Sequence, residues 1–282
     1  MVANDTRIAI LGGKGMLGTD LAGICKQQGF DVKVFDLPEF DITNSQQLKQ
    51  AVGAAEVIVN CAAYTNVDGA ESETDLAYLV NAAAVGRLGD IAKDADKWVL
   101  HISTDFIFDG RLNTPYVETD APNPINEYGK TKLAGEQLLG ESGCRHCIIR
   151  LEWTYGFAGN NFVTKIIRRA KTDKTLKVVD DQVGSPTATT EVAKVICRLL
   201  QKKPESIYHF ASAGYVSRYQ MAEFIFDKLS IDVNLVPCKT SDFVSDAARP
   251  LNSRFDCSKI KNLLDEQIKP WQDPLERFLR QL

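Results

Sequence analysis

The chain of 282 residues contains no apolar run long enough to cross a membrane, which excludes a helical integral membrane protein. Its N-terminus lacks a basic segment followed by an apolar one, so no secretory signal is read there and a cytoplasmic location is expected. Basic residues are not in excess. Lys and Arg number 33 against 37 Asp and Glu, and the net charge of −4 argues against nucleic acid or an anionic membrane as a partner. The seven cysteines form an odd, scattered set, which fits reduced thiols and not a disulfide framework. Cys144 and Cys147 match C-x-x-C, but they lead into a strand-like run, whereas a redox motif opens a helix. No second Cys/His pair stands at ligand spacing, so no metal is expected. Internal repeats, low-complexity tracts and flexible linkers are also missing.

What is present is a globular composition, 44% hydrophobic and 25% charged, with strands and helices alternating through the first half. Arg7–Leu11, Asp31–Asp36, Glu56–Asn60, Trp98–Ile102 and Cys147–Leu151 read as strands. Between them, helices are expected from Met16 to Gln28, from the cap Asn44 to Val52, from Glu71 to Lys93 and from Glu127 to Leu139. The third of these places Leu76, Leu79, Val80, Ala83, Leu88, Ile91 and Ala92 on one apolar side. The pattern predicts an α/β fold, a Rossmann-type doubly wound parallel sheet with a smaller C-terminal α/β domain. The expected division is a dinucleotide-binding domain over 1–152 and a mainly substrate-binding domain over 153–282. The runs at 175–180 and 206–211 are expected to extend the first sheet, and 237–253 to be loop.

Gly12, Gly15 and Gly18 follow the first strand in a G-x-x-G-x-x-G spacing and open a helix. Positions without side chains let backbone approach a pyrophosphate, and the helix N-terminus offers free N–H groups and positive dipole. The turn residues Gly12, Lys14, Gly15, Met16, Leu17 and Gly18 are therefore expected against a dinucleotide. Asp36 ends the second strand, where a carboxylate accepts hydrogen bonds from ribose hydroxyls. No Arg follows it to meet a 2′-phosphate, which favours NADH over NADPH. Asp41 and Ile42 lie just beyond and could meet the adenine or form a capping loop. The small-residue run after strand three brings Ala62, Ala63, Tyr64 and Thr65 to the same crevice, with Asn81 in reach from its helix.

Tyr128 and Lys132 stand at i and i+4 on one helix face, 24 residues after Ser103-Thr104-Asp105. A phenol with a pKa of about 10 is a poor acid or base near neutrality, and an adjacent ammonium is expected to lower it. His101 and His209 sit inside strands and read as core residues.

The chain resembles the extended short-chain dehydrogenase/reductases, and within them the dTDP-4-dehydrorhamnose reductase family. The resemblance runs through Gly12–Gly18, Asn60–Glu71 (NCAAYTNVDGAE), Ser103–Gly110 (STDFIFDG) and Tyr128–Glu136 (YGKTKLAGE). It continues through Arg150, Trp153–Gly156, Asn161-Phe162, Asp180–Thr187 (DDQVGSPT) and Arg249–Ser253 (RPLNS). It implies NAD(P)H-dependent reduction of the C4 keto group of a dTDP-linked 4-keto-6-deoxysugar. Tyr128 would be the proton donor, Lys132 the group that tunes it and holds the nicotinamide ribose, and Thr104 a partner of the substrate oxygen. Ile102 would also contact cofactor, and Thr104, Asp105 and Trp153 the sugar, with the indole face against the pyranose ring. Arg249 and Arg254 are candidates for the diphosphate. Phe106 stands where related dehydratases carry an acid, which favours simple reduction.

Glu152 departs from the family, which carries a small hydroxyl residue there, and a carboxylate beside a sugar pocket must be paired or neutralised. Asp20 replaces the Glu through which some relatives form a metal-bridged dimer, so a monomer or a homodimer of another kind is expected. Two rival functions use the same fold: a nucleotide-sugar epimerase with retained NAD, and a non-catalytic regulatory subunit. The Thr104/Tyr128/Lys132 set speaks against the second.

Overall fold

Apolar runs covered on both faces become parallel strands, and helices fill the spaces between them. The structure, a computed structural model, describes residues 6–282. β1 (Arg7–Leu11) passes through the glycine turn into α1 (Met16–Gln27), then β2 (Asp31–Phe35), α2 (Ser45–Gly53) and β3 (Val57–Asn60). Asn44 caps α2, its side chain accepting from the Gln46 and Gln47 amides. There follow α3 (Thr74–Tyr78), a π turn over Leu79–Ala83, α4 (Ala84–Asp94), β4 (Trp98–Thr104), α5 (Glu127–Glu141) and β5 (Arg145–Leu151).

The periodicity that reads as one helix from Glu71 to Lys93 is broken here. The π turn inserts one residue into the helical repeat and shifts the phase of what precedes it. Leu76 and Leu79, expected on the apolar side, are consequently 46% and 39% exposed, while Ala77, Asn81 and Ala82 are buried.

The second half holds β6 (Thr154–Tyr155), α6 (Phe162–Ala170), β7 (Thr175–Val179), β8 (Val183–Gly184), β9 (Thr187–Ala188) and α7 (Thr189–Lys202). β10 (Ile207–Phe210), β11 (Val216–Ser217), α8 (Arg218–Leu229), β12 (Asn234–Cys238), α9 (Ser258–Leu264) and α10 (Gln272–Leu279) complete it. The main sheet has the order β10-β5-β4-β3-β1-β2, and every pair in it is parallel. One face packs on Leu21 and Cys25 of α1 and on Val192, Ile196 and Leu200 of α7. The other packs on Leu48 of α2, Leu88 of α4 and Leu139 of α5.

β10 therefore returns to the first sheet beside β5, but 175–180 does not extend that sheet as expected. β7 pairs instead with β12, whose last residues, Pro237 and Cys238, fall inside the stretch expected to be loop. The physical reason lies in the burial of β7: Leu176 and Val178 are buried, while Thr175 and Lys177 are exposed. Such one-sided alternation suits a two-stranded ribbon covered on one face, not a sheet buried on both. With α6, α8 and α10, this ribbon encloses a separate core around Leu176, Ile225, Trp271 and Phe278.

Candidate active site

A cleft of about 730 Å³ opens beyond the carboxyl ends of the main-sheet strands. Gly12 shapes one wall. Its φ of +72° suits glycine, and a Cβ there would lie 2.6 Å from the Ala62 backbone. A Cβ at Gly18 would run into the carbonyl oxygen of Gly12, so α1 can press against the turn only with hydrogen at that position. The cap of α1, Gly15, makes no side-chain hydrogen bond, which leaves first-turn N–H groups available to an anion. Asp36 accepts from the amides of Lys14 at 2.7 Å and Leu37 at 2.8 Å, one on each oxygen. The Lys14 ammonium turns outward to Glu39 at 2.7 Å and the Leu37 carbonyl at 3.1 Å.

At the far end of the cleft, Asn126 caps α5 and so sets Tyr128 in its first turn. The Tyr128 hydroxyl lies beside Thr104. Thr104 in turn donates to Asp105 Oδ1 at 3.0 Å and accepts from the Phe106 amide at 3.2 Å. The Phe106 ring meets the phenol edge-on, with centroids 5.6 Å apart, and brings no acid to the site. Burial pushes the Tyr128 phenol up to about 12, with Thr104 pulling the other way. The expected lowering by Lys132 is not found. The Lys132 ammonium, 2% exposed, donates to the Ile102 carbonyl at 2.6 Å and lies 3.3 Å from His101 Nε2. Burial lowers Lys132 itself to about 8, against the pull of Glu136, so desolvation governs both groups.

Of the residues expected at the cofactor, Gly12, Lys14, Gly15, Met16, Leu17, Asp36, Asp41, Ile42, Ala62, Ala63, Thr65 and Ile102 line the cleft. So do Thr104, Asp105, Tyr128, Lys132 and Trp153. Asp41 also closes its own turn by accepting from the Thr43 amide and hydroxyl. Gly18 stands behind the lining. Tyr64 turns its side chain away, its hydroxyl donating to Glu73 at 2.8 Å. Asn81 stays out of the cleft and supports it. Its side chain accepts from the Tyr64 amide at 2.9 Å and donates to the Tyr64 carbonyl at 3.1 Å, fixing the backbone between Ala63 and Thr65. The π turn aims Asn81 there.

Arg249 and Arg254 do not reach the cleft wall. Arg249 pairs with Asp68 at 2.7 Å and bonds Ser245 and the Ala247 carbonyl. Arg254 donates to Asn252 Oδ1 at 2.8 Å and the Asn113 carbonyl at 2.7 Å. The guanidinium that does line the cleft is Arg218, which the sequence reading missed. It lies 3.5 Å over the Trp153 ring and 4.9 Å from that of Phe162. The indole face expected to meet a sugar is therefore covered by Arg218, and Gly184 packs closely on the same indole. The one signal in the sequence was its position: a cation opening a helix right after the cap Ser217, where the dipole disfavours it.

Trp153 itself adopts a left-handed backbone, φ +44°, a conformation that costs an L-residue about 1–2 kcal/mol. Beside it, Glu152 is 1% exposed. Its oxygens accept from the Ser185 amide at 2.9 Å and the Phe255 amide at 3.3 Å, joining the DDQVGSPT segment to the one after RPLNS. Burial first, then the charge of Asp105, raise its pKa well above the ordinary carboxylate value. Among the described residues, no group of three or more His, Cys, Asp or Glu side chains is arranged to hold a metal. Asp20 accepts from the Thr189 hydroxyl at 2.5 Å.

The model of the RmlD substrate binding domain matches residues 6–282. The dTDP-4-dehydrorhamnose reductase of Aggregatibacter actinomycetemcomitans is 38% identical, across 96% of this chain and 98% of its own. That of Escherichia coli K12 is 35% identical, across 98% and 97%. The crystal structure of the Bacillus anthracis dTDP-4-dehydrorhamnose reductase in complex with NADP superposes with a TM-score of 0.94 at 36% identity, covering 99% of this chain and 100% of that one. A Thermus thermophilus UDP-glucose 4-epimerase, at 16% identity and a TM-score of 0.84, shares the fold alone.

Proposed function

The chain belongs to the RmlD substrate binding domain family, and on that premise we propose that it reduces the C4 keto group of a dTDP-linked 4-keto-6-deoxysugar with a nicotinamide cofactor. The reaction that fits best takes dTDP-4-dehydro-L-rhamnose to dTDP-L-rhamnose. The cleft residues suit a dinucleotide: a side-chain-free turn at Gly12, uncapped N–H groups opening α1, and a carboxylate at Asp36. When bound, the nicotinamide supplies hydride to the keto carbon.

Tyr128 protonates the oxygen that becomes the C4 hydroxyl. A phenol held up at about 12 is protonated at neutral pH, the state from which an acid must start. An alkoxide oxygen is more basic than a phenolate, so the transfer runs downhill. Thr104, beside the Tyr128 hydroxyl, is itself held by Asp105 and the Phe106 amide. Lys132 lines the cleft and would hold the ribose next to the reacting ring. The observation carrying this assignment is that the Tyr128–Thr104 pair and the glycine turn open onto one cleft, with Phe106 in place of a second acid.

NADH is the cofactor we favour over NADPH. Asp36 places negative charge at the end of the second strand, where a 2′-phosphate would meet it, and Glu39 already engages Lys14. The Bacillus anthracis relative was solved with NADP, so the preference needs its own test. kcat/KM should be higher with NADH, and D36S should narrow the gap. Equal values in the wild type would refute the preference. For the reaction, NADH absorbance should fall in step with formation of the reduced dTDP-sugar. Substrate conversion with no net NADH loss would identify an epimerase, and no turnover would refute the proposal.

A further inference from the structure

Arg218 presents a charged group whose hydrogen bonds the protein leaves unmade. Its backbone amide donates to the Gln182 carbonyl, but its guanidinium has no hydrogen-bond or ion-pair partner among the described residues. A guanidinium carries five N–H donors, and those of Arg218, half-buried at the cleft, are left for a ligand. The plane is held all the same, by Trp153 at 3.5 Å and Phe162 at 4.9 Å. Such stacking fixes a planar fork without using its donors. Asp105 and Glu152 favour the cation, and Arg249 opposes it. Burial lowers Arg218 to about 9, so it is charged at neutral pH.

Arg218 is also the first residue of α8, a helix of twelve residues. A cation at that end opposes the helix dipole, so the position does not serve the helix. The N-terminus of α8 is itself closed, Ser217 accepting from the Gln220 amide and the Gln182 carbonyl from that of Arg218, so it is the guanidinium that is left to attract an anion. The other cations lining the cleft are engaged: Lys14 by Glu39, Lys132 by the Ile102 carbonyl. Arg249 and Arg254, the arginines outside, are held by Asp68, Asn252 and Asn113.

We propose that Arg218, held over the Trp153 ring, binds the diphosphate of the nucleotide-linked substrate and so sets how that substrate enters the cleft. This rests on the function proposed above, which brings a diphosphate into a cleft already lined by the carboxylates Asp36, Asp41 and Asp105. A bidentate guanidinium matches paired phosphate oxygens, and the aromatic clamp has already ordered it.

The test is calorimetric titration of the NADH-loaded enzyme with dTDP and with thymidine, in the wild type, R218Q and R218K. R218Q should weaken dTDP by at least ~10-fold, the scale of a lost charge-assisted contact, with R218K in between. Thymidine and NADH should bind all three proteins equally, and KM for the dTDP-sugar should rise more than kcat falls. Wild-type dTDP binding should weaken with salt, while thymidine binding should not, a measurement that needs no variant. Unchanged dTDP affinity in R218Q, or a wild-type affinity indifferent to salt, overturns the proposal. A fall in kcat with dTDP affinity intact also overturns it and moves Arg218 to the sugar hydroxyls. A wild type that binds UDP or GDP in place of dTDP would refute the substrate proposed above, and R218Q on that nucleotide then decides the role of Arg218. A wild type that binds no nucleoside diphosphate refutes both.

Discussion

His101 Nε2 lies 3.3 Å from Lys132 Nζ, and its other ring nitrogen lies 3.1 Å from the side-chain nitrogen of Asn60. The Asn60 carbonyl oxygen is taken by the Ala62 amide at 3.1 Å, so the Asn60 amide group donates to His101 Nδ1. The proton of a neutral imidazole then sits on Nε2, facing Lys132. Burial holds His101 well below its ordinary pKa, so it is neutral. A donor facing an ammonium favours the amine, in line with a Lys132 pKa already lowered by burial.

Lys132 therefore has a stability signature. Its folded-state value of about 8 lies below the ordinary 10.5, so below pH 8 the fold bears the full cost of a buried charge. Between the two values the unfolded chain binds the extra proton, and stability rises with pH. In K132M this contribution is gone. The wild type should gain in melting temperature on K132M as pH rises from about 7 to about 10, while the variant loses activity at every pH. A melting difference that stays flat over that range would refute the assignment.

Tyr128→Phe keeps the ring beside Phe106 and removes only the hydroxyl. The kcat should drop by ~10²–10⁴, the usual contribution of a general acid, with cofactor affinity nearly unchanged. Retention of wild-type turnover would exclude Tyr128 as the proton donor.

Glu152 accepts a backbone N–H on each oxygen. Glu152→Gln must turn its amide nitrogen toward one of those donors, leaving it unpaired. Urea unfolding should show a loss of about 1–3 kcal/mol. A midpoint equal to the wild type would mean that the strap between Ser185 and Phe255 carries no stability.

Asn81→Ala releases the Tyr64 backbone from both its hydrogen bonds and removes a third to Thr131. Ala63 and Thr65 line the cofactor side of the cleft, so cofactor KM should rise by roughly 10-fold, with a smaller change in kcat. An unaltered KM would show that the loop holds itself.

The parts legible in the sequence are those where local chemistry and global position agree. Gly12 and Gly18 are required by close backbone approach, the buried strands by two-sided apolarity, and Tyr128 with Lys132 by helical spacing. What stayed hidden depends on contacts between distant segments. Nothing in Leu79–Ala83 marks an inserted residue, so Leu76 and Leu79 were assigned to the wrong side. The partner of β7 lies nearly sixty residues on, at β12, whose Pro237 interrupts a weak strand pattern. Arg249 and Arg254 look as suited to phosphate as Arg218 does, and only the positions of Asp68, Asn252 and Trp153 separate them. The pKa values of Tyr128 and Lys132 follow from enclosure, which spacing along a helix does not report.

β10 joins β5 as the outermost strand, and beneath that seam Arg150 binds Glu136 and contacts His209, all of them buried. A truncated protein ending at residue 152 would bare the unpaired N–H and C=O groups of β5 and strip His209 from a buried ion pair. The two halves are thus interdependent for solubility as well as for catalysis, and exchanging the C-terminal half between relatives requires carrying the β10 edge with it.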